Sequence, residues 1–321
     1  MHTRILTQKD VKAAITMPRA ITAVEEALGA YHRGEAQMPP KVYLSLDEFN
    51  GDFRAMPAYF GKTAGVKWVN SHPANTREHQ HPTVKGVYIL NDPQTALPLA
   101  VLDGTYLTAM RTGAAAAVAS RFLAPPESTS LGLLGCGVQA QFLLDAHQAV
   151  FPGIQVLVAD RDAPTAQHFA EKNNARVVNA EELAQCDILC TSTPSRTPII
   201  ESSWLKGRSI HINAMGADAP GKQELHGDAL HHARVLVDDF DQATHSGEVN
   251  VPLHKGDYGR EQIEGTLGGV ITGALQRRSP GDEGVTIFDS TGLAIQDAAV
   301  ARAVYEEAEA HELGLKINFL D

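Results

Sequence analysis

Apolar positions along the chain change their period repeatedly, and each change marks an element. In "PRAITAVEEALGAYHRG" the apolar residues recur at three- and four-residue spacing, which predicts a helix opened by Pro18 and stopped at Gly34. Just before it, Thr7 and Asp10 have the spacing of a capping box for a first short helix. From Lys41 the period falls to about two. "KVYLSL", "FRAMPAYF", "AGVKWVN" and "VKGVYILND" therefore read as strands, separated by Gly, Asp and Pro. A helical pattern returns in "DGTYLTAMRTGAAAAVASRFLA", whose small residues permit close packing.

Pro125–Thr129, "PPEST", breaks the composition. Beyond it short apolar runs ("SLGLLG", "QVLVAD", "DILCTST", "ARVLVDD") alternate with amphipathic helical stretches such as "AQFLLDAHQAVF". That alternation predicts a parallel sheet with helices on both faces, so the fold class is α/β. A second break, "QRRSPGDEG", leads to a last strand, "VTIFDSTG", and a closing helix, "IQDAAVARAVYEEAEAHELG". At 321 residues the chain exceeds the usual size of one core, and two domains are expected.

Inside the alternating region, Gly135-Cys136-Gly137-Val138-Gln139-Ala140 is a G-x-G-x-x-A form of the dinucleotide fingerprint, preceded by a strand pattern and followed by a helical one. Gly135 permits the tight turn, Gly137 the approach of a pyrophosphate, and Ala140 close packing of helix on sheet. The next strand ends in Asp160, placed for the hydroxyls of a ribose, which favours NAD. Arg161 beside it suits a 2′-phosphate, so NADP stays open. Ligands of such sheets lie beyond the carboxyl ends of the strands. The strand ends Thr191–Ser195, with Thr193, and Met215–Lys222, with Gly216 and Ala217, are expected to line the same crevice.

Composition narrows the partners. The net charge is −11 and no basic block occurs, which argues against nucleic acid and anionic membranes. The N-terminus has no apolar leader, and the run near Thr112–Ala119 is too short to span a bilayer. Cys136, Cys186 and Cys190 lack metal spacing and read as reduced, buried thiols of a cytoplasmic protein. His226, His231 and His232 have no further ligand at metal spacing, and His211 reads as a core histidine, so no metal is expected.

A redox dinucleotide needs a substrate anchor and a proton-transfer group nearby. Lys41, Arg54, Lys67, Arg111, Asp218 and Glu248 are the candidates. Lys67 stands among Val66, Trp68 and Val69, which would strip its water; on pattern alone it is equally a catalyst or an edge-strand gatekeeper. By pattern Arg111 leans towards a surface helix arginine. Asp218 reads as a turn residue or an acid that activates water, and Glu248 is ambiguous, structural if taken alone.

With these residues assembled, the chain resembles the ornithine cyclodeaminase/mu-crystallin family. The blocks that carry the likeness include "VKWVNSHPANT", "MRTGAAAAVASRFLA", "GLLGCGVQAQ", "NAMGADAPGKQEL", "SGEV" and "VTIFDSTGLAIQDAAVA". The resemblance implies a Rossmann NAD-binding domain at 125–292. It also implies an α+β substrate and dimerisation domain made from 1–124 and 293–321, in a homodimer. By the same resemblance Lys41, Lys67 and Arg111 surround a substrate carboxylate, Lys67 moves a proton, and Asp218 handles water or the amine. Thr112, the segment Gly135–Gln139, Asp160, Met215–Ala217 and Ser290 would contact the cofactor. Where cyclodeaminases carry a glutamate for the far amine of ornithine, this chain has Arg54, which would repel a second ammonium. That departure points to the archaeal-type alanine dehydrogenases of the family. The implied reaction is NAD-dependent, reversible deamination of a small L-amino acid, L-alanine foremost, to its 2-oxo acid. An ornithine cyclodeaminase, an imine or ketimine reductase, and a non-enzymatic crystallin-type carrier are the other readings.

Overall fold

A computed structural model describes residues 2–318. Its first stretch runs β1 (Thr3–Leu6), α1 (Gln8–Ala14), α2 (Met17–His32), β2 (Ala36–Gln37), β3 (Val42–Leu46), β4 (Gly51–Phe60) and β5 (Thr63–Ser71). Then come α3 (Asn75–Glu78), β6 (Val84–Asn91), β7 (Pro98–Asp103) and the long α4 (Gly104–Leu123). The alternating part follows as β8 (Ser130–Leu134), α5 (Val138–Val150), β9 (Gln155–Ala159), α6 (Ala163–Asn173), β10 (Arg176–Val177), α7 (Ala180–Leu183) and β11 (Ile188–Thr191). It continues through β12 (Ile210–Ala214), α8 (Asp228–His231), β13 (Ala233–Val237), α9 (Phe240–Ser246), α10 (Asn250–Lys255), β14 (Gly265–Thr266), α11 (Leu267–Ile271) and β15 (Val285–Asp289). The chain closes with α12 (Ala294–Ala310) and β16 (Leu315–Ile317).

Local chemistry accounts for several boundaries. Thr7 and Asp10 form the capping box of α1, each side chain meeting the other's backbone N–H. Pro18 lies in the first turn of α2, and Gly34 follows its end in the left-handed region at φ 73°.

Two compact units result: residues up to Arg111 joined by the segment from Leu293, and Thr112–Gly292. The division falls inside α4, whose core from Ala114 to Ala119 is fully buried.

In the first unit the strands follow the order β16-β1-β7-β6-β5-β4-β2, with β3 also paired to β4. All pairs are antiparallel except β1 with β7. Register sorts the side chains onto two faces. Val42, Ala55, Trp68 and Val87 stand in one row across β3, β4, β5 and β6. Met56, Lys67 and Tyr88 stand in another on the opposite face. Helix α12 packs over β4, β5 and β6, and α2 packs on α12. With a neighbour on either side, the first half of α12 is buried all round, from Ala294 through Ala301. Strand β5 is paired on both edges, so Lys67 is no edge-strand gatekeeper; it points beneath the helix.

The second unit is a wholly parallel sheet in the order β10-β9-β8-β11-β12-β15-β13-β14. Order reverses between β8 and β11, the switch point of a doubly wound fold. Leu189, Ile212, Val235 and Ile287 anchor its core on adjoining strands. The polar stretch Gln276–Gly284 is not a loose linker. Arg278 within it is 5% exposed and donates to the carbonyls of Leu123, Ile210 and Gly284. Among the described residues, no helix is long and apolar enough to cross a membrane.

Candidate functional site

The residues read from sequence as cofactor contacts all fall in the second unit, most just beyond strand ends. Gly135 follows β8, Asp160 follows β9, Thr193 follows β11, Met215–Ala217 follow β12, and Ser290 follows β15. Gly135 has φ 92°, which only glycine adopts without strain, and an added Cβ would press on Thr193 and the Ser192 carbonyl. Gly137 is the N-cap of α5, and a Cβ there would meet nothing within 4 Å. A phosphate could therefore reach the helix N-terminus over Gly137 without obstruction. Val138 is 73% exposed at the same helix start, an apolar side chain with no cover of its own. Beside it opens a cavity of about 420 Å³ lined by Gly137, Val138, Gln141, Thr165 and His168.

Asp160 braces this turn. Its Oδ2 accepts the Cys136 N–H at 2.8 Å and its Oδ1 the Asp162 N–H at 2.9 Å. Arg161 beside it is exposed, and Gln139 is half-buried on the first turn of α5. Thr112 is nearly buried on α4, and Ala217 is fully buried, so its reach to a ligand is through its backbone. The open Gly137, the braced turn and the strand-end carboxylate fit a dinucleotide such as NAD.

The loops beyond β11 and β12 are tied by a residue that sequence reading passed over. Glu224 is fully buried; its Oε1 accepts the Thr193 N–H at 2.6 Å and its Oε2 the Gly216 N–H at 2.9 Å and the Thr191 hydroxyl at 2.6 Å. Glu248 in turn accepts the backbone N–H groups of Glu224 and Leu225, and Asp289 those of Glu248 and Val249. Three carboxylates in series thus hold loops at the carboxyl edge of the sheet. Burial raises the pKa of each, Asp289 to about 7, against the donors that favour the charged forms. Glu248, ambiguous from its sequence context, is engaged by these backbone groups. Ser290 completes the edge by donating to Asp238 at 3.3 Å.

Asp218 lies in the loop after β12, where Lys222 Nζ approaches its Oδ1 at 2.5 Å. Its side chain is 38% exposed, so solvent reaches it. His211 is a satisfied core histidine, between Thr286 Oγ1 at 2.8 Å and Asn213 Oδ1 at 3.1 Å. Cys136, Cys186 and Cys190 are free and buried.

In the first unit, three elements converge on one acid. Lys67 on β5 is fully buried, with Nζ 2.7 Å from Asp297 Oδ2. Arg111, on α4 and 7% exposed, donates from Nε to Asp297 Oδ1 at 3.1 Å and from an amino group to Gln296 Oε1 at 3.3 Å. The pattern reading of Arg111 as a surface residue is thereby overturned: its face of α4 meets the start of α12. Burial lowers the pKa of Lys67 to about 7, opposed by Asp297 and reinforced by the charges of Arg111 and Lys41. Lys41 itself is half-buried just before β3.

Arg54 on β4 occupies the same sheet face as Lys67 and is 8% exposed. It forms two bonds with Asp52, at 2.9 and 2.8 Å, and stands over the Tyr43 ring. Asp297 was missed because an acid in a first helical turn normally reads as complementing the helix dipole. A signal existed: "AIQDAAVARAV" sets Gln296 and Asp297 as a polar pair in an otherwise apolar stretch.

Known proteins match this arrangement along its length. The family model described as ornithine cyclodeaminase/mu-crystallin matches residues 1–312. The alanine dehydrogenase of Archaeoglobus fulgidus is 48% identical over 99% of both chains. A solved archaeal alanine dehydrogenase dimer with bound NAD superposes with a TM-score of 0.96 at 49% identity, covering all of both chains. The Δ1-pyrroline-2-carboxylate reductase of Thermococcus litoralis, solved with NADH and L-proline, gives 0.92 at 32% identity over 98% of this chain and all of its own. With a two-unit fold, a dinucleotide turn and a match of this extent, the chain belongs to the ornithine cyclodeaminase/mu-crystallin family.

Proposed function

We propose that this protein is a cytoplasmic, NAD-dependent oxidoreductase that reversibly deaminates a small L-amino acid, L-alanine foremost, to its 2-oxo acid and ammonia. The observation that carries the reading is Lys67, a fully buried amine whose pKa is lowered to about 7, in a chain 48% identical to an alanine dehydrogenase. Bound NAD supplies the hydride acceptor for Cα of the amino acid. Lys41, Arg54 and Arg111 hold the substrate carboxylate, Arg by its paired N–H geometry. Lys67 takes a proton in the oxidative direction and returns it in the reverse one; a group titrating near neutrality serves both. Asp218, within reach of solvent, orients water or the leaving amine. NAD would be held by Gly135–Gln139 and Asp160, with Thr112, Thr193, Met215–Ala217 and Ser290 as its further contacts, and Arg161 is the residue that would meet a 2′-phosphate.

The working form is a homodimer. The sheet face opposite Lys67 exposes Val42, Leu44, Trp68, Val87 and Ile89, too much apolar surface in one patch for a lone chain. A second copy is the occupant, in keeping with the dimer of the archaeal relative.

A second reading is supported by the relative solved with NADH and L-proline: reduction of a cyclic imino acid by the same clamp and the same lysine. One assay separates them. NADH oxidation is followed with pyruvate plus ammonium, pyruvate plus methylamine, and Δ1-pyrroline-2-carboxylate, beside proline release from ornithine. The expected outcome is fastest turnover with pyruvate plus ammonium. Turnover confined to the cyclic imine would replace the alanine reading with the reductase.

A further inference from the structure

Asp297 faces two cations with one carboxylate. Arg111 holds its Oδ1 at 3.1 Å and Lys67 stands 2.7 Å from its Oδ2, with all three side chains at most 9% exposed. When Lys67 is neutral, Arg111 and Asp297 balance. When Lys67 is protonated, one positive charge is left over where burial makes it costly. An arriving carboxylate removes that excess.

Hydrogen bonding at the same spot points to a ligand with acceptor oxygens. Lys67 Nζ and Asp297 Oδ2 meet as an ion pair at 2.7 Å with poor hydrogen-bond alignment, and neither atom has another partner among the described residues, so further N–H groups of a protonated Lys67 lack an acceptor. Gln296, which precedes Asp297 on α12 and accepts from Arg111 through Oε1, has its Nε2 buried with no partner among the described residues. Buried donors of this kind normally find partners. A carboxylate arriving beside Arg111 would offer such an acceptor to Lys67.

We propose that Asp297 is a shared counter-ion, a positioning residue that links proton uptake at Lys67 to binding of the substrate carboxylate beside Arg111. The proposal rests on the reading of Lys67 and Arg111 as substrate-facing. Other groups among the described residues also act on the pair. Lys41, before β3, opposes protonation of Lys67, as Arg111 does, and Tyr88 on β6 stays protonated through burial and the charge of Asp297. Met56, opposite Lys67 on β4, brings no charge. By reciprocity, carboxylate binding raises the proton affinity of Lys67, and protonated Lys67 binds carboxylates more tightly. A 2-oxo acid would then load Lys67 with the proton that amination consumes.

The test is calorimetric titration of the NADH-loaded protein with oxamate, a carboxylate that cannot be reduced, in buffers of different ionisation enthalpy. Proton uptake of roughly half a proton or more per site is expected at about pH 8, shrinking towards about pH 6 where Lys67 is already protonated. In Asp297→Asn the uptake should vanish, because the lysine stays neutral, and oxamate should bind about tenfold or more weakly. Asp297→Glu keeps the charge and should keep the uptake. Unchanged uptake in Asp297→Asn, no uptake in the unaltered protein, or no oxamate binding overturns the proposal. Should Asp297→Asn not fold, the Cε resonance of Lys67 in the unaltered protein decides, assigned by its loss in Lys67→Met. Its midpoint must rise when oxamate is added, and a fixed midpoint overturns the linkage. Alanine turnover is scored apart: turnover without linked uptake removes this proposal alone, and linked uptake without turnover removes the alanine reading alone.

Discussion

Arg54 forks onto Asp52, with Nε 2.9 Å from Oδ1 and an amino nitrogen 2.8 Å from Oδ2, two residues apart on one face of β4. The side chain that argues against a diamine substrate is therefore held in place by its own neighbour. Removing one partner of a buried charged contact costs roughly 2–5 kcal/mol, so Arg54→Leu should raise KM for pyruvate by about 30-fold or more. Asp52→Asn, which removes the carboxylate and keeps the arginine, should raise KM by only a few-fold. Steady-state kinetics on both variants check this. An Arg54→Leu enzyme with KM within about twofold of the original would reduce Arg54 to a strut for Asp52.

Gly137→Ala separates folding from cofactor binding. The added methyl meets no protein atom within 4 Å, so stability should change by about 1 kcal/mol at most, the cost of alanine at an N-cap. A pyrophosphate over that backbone would be pushed away, and NADH affinity should fall by about tenfold or more. Thermal denaturation and NADH fluorescence titration are the two readouts. Unchanged NADH affinity would put the phosphates elsewhere.

Glu224→Ala should damage both properties at once. It leaves the Thr193 and Gly216 N–H groups and the Thr191 hydroxyl without their acceptor. Each stranded buried donor costs about 1–3 kcal/mol, so a loss of roughly 3 kcal/mol or more is expected in denaturant unfolding. Glu224→Gln, keeping one acceptor oxygen, should lose less. NADH affinity should follow the same order as stability, because both loops lie on the cofactor edge of the sheet.

Lys67→Met is expected to abolish turnover and stabilise the fold. Burial brings the lysine from 10.5 to about 7, so the folded state binds fewer protons than the unfolded chain between those values. The cost of burying it is full below about pH 7 and fades as pH rises to about 10.5. Methionine removes that cost and leaves Asp297 matched one to one by Arg111. The gain should be on the order of 2–4 kcal/mol at neutral pH and should shrink towards about pH 10. Urea unfolding at several pH values reads it. A gain that grew with pH would contradict the sign of the shift.

The sequence by itself determined what short segments decide. The capping box at Thr7, the stop at Gly34, the period-two strands and the turn from Gly135 to Ala140 depend on residues a few positions apart. The dinucleotide half was legible for the same reason: strand, turn, helix and Asp160 belong to one continuous unit whose backbone needs are local. Tertiary structure alone decided the charges. Whether Lys67 guards an edge or is buried depends on β4 and β6 flanking β5 and on α12 lying above it. Whether Arg111 is a surface cation or half of a buried pair depends on the start of α12, contributed by the far end of the chain. Asp297 and Glu224 stayed hidden because their partners, distant cations for one and backbone groups for the other, follow no helical or strand spacing. Periodicity records which face of an element is dry, and only packing records which charge that dryness leaves unscreened.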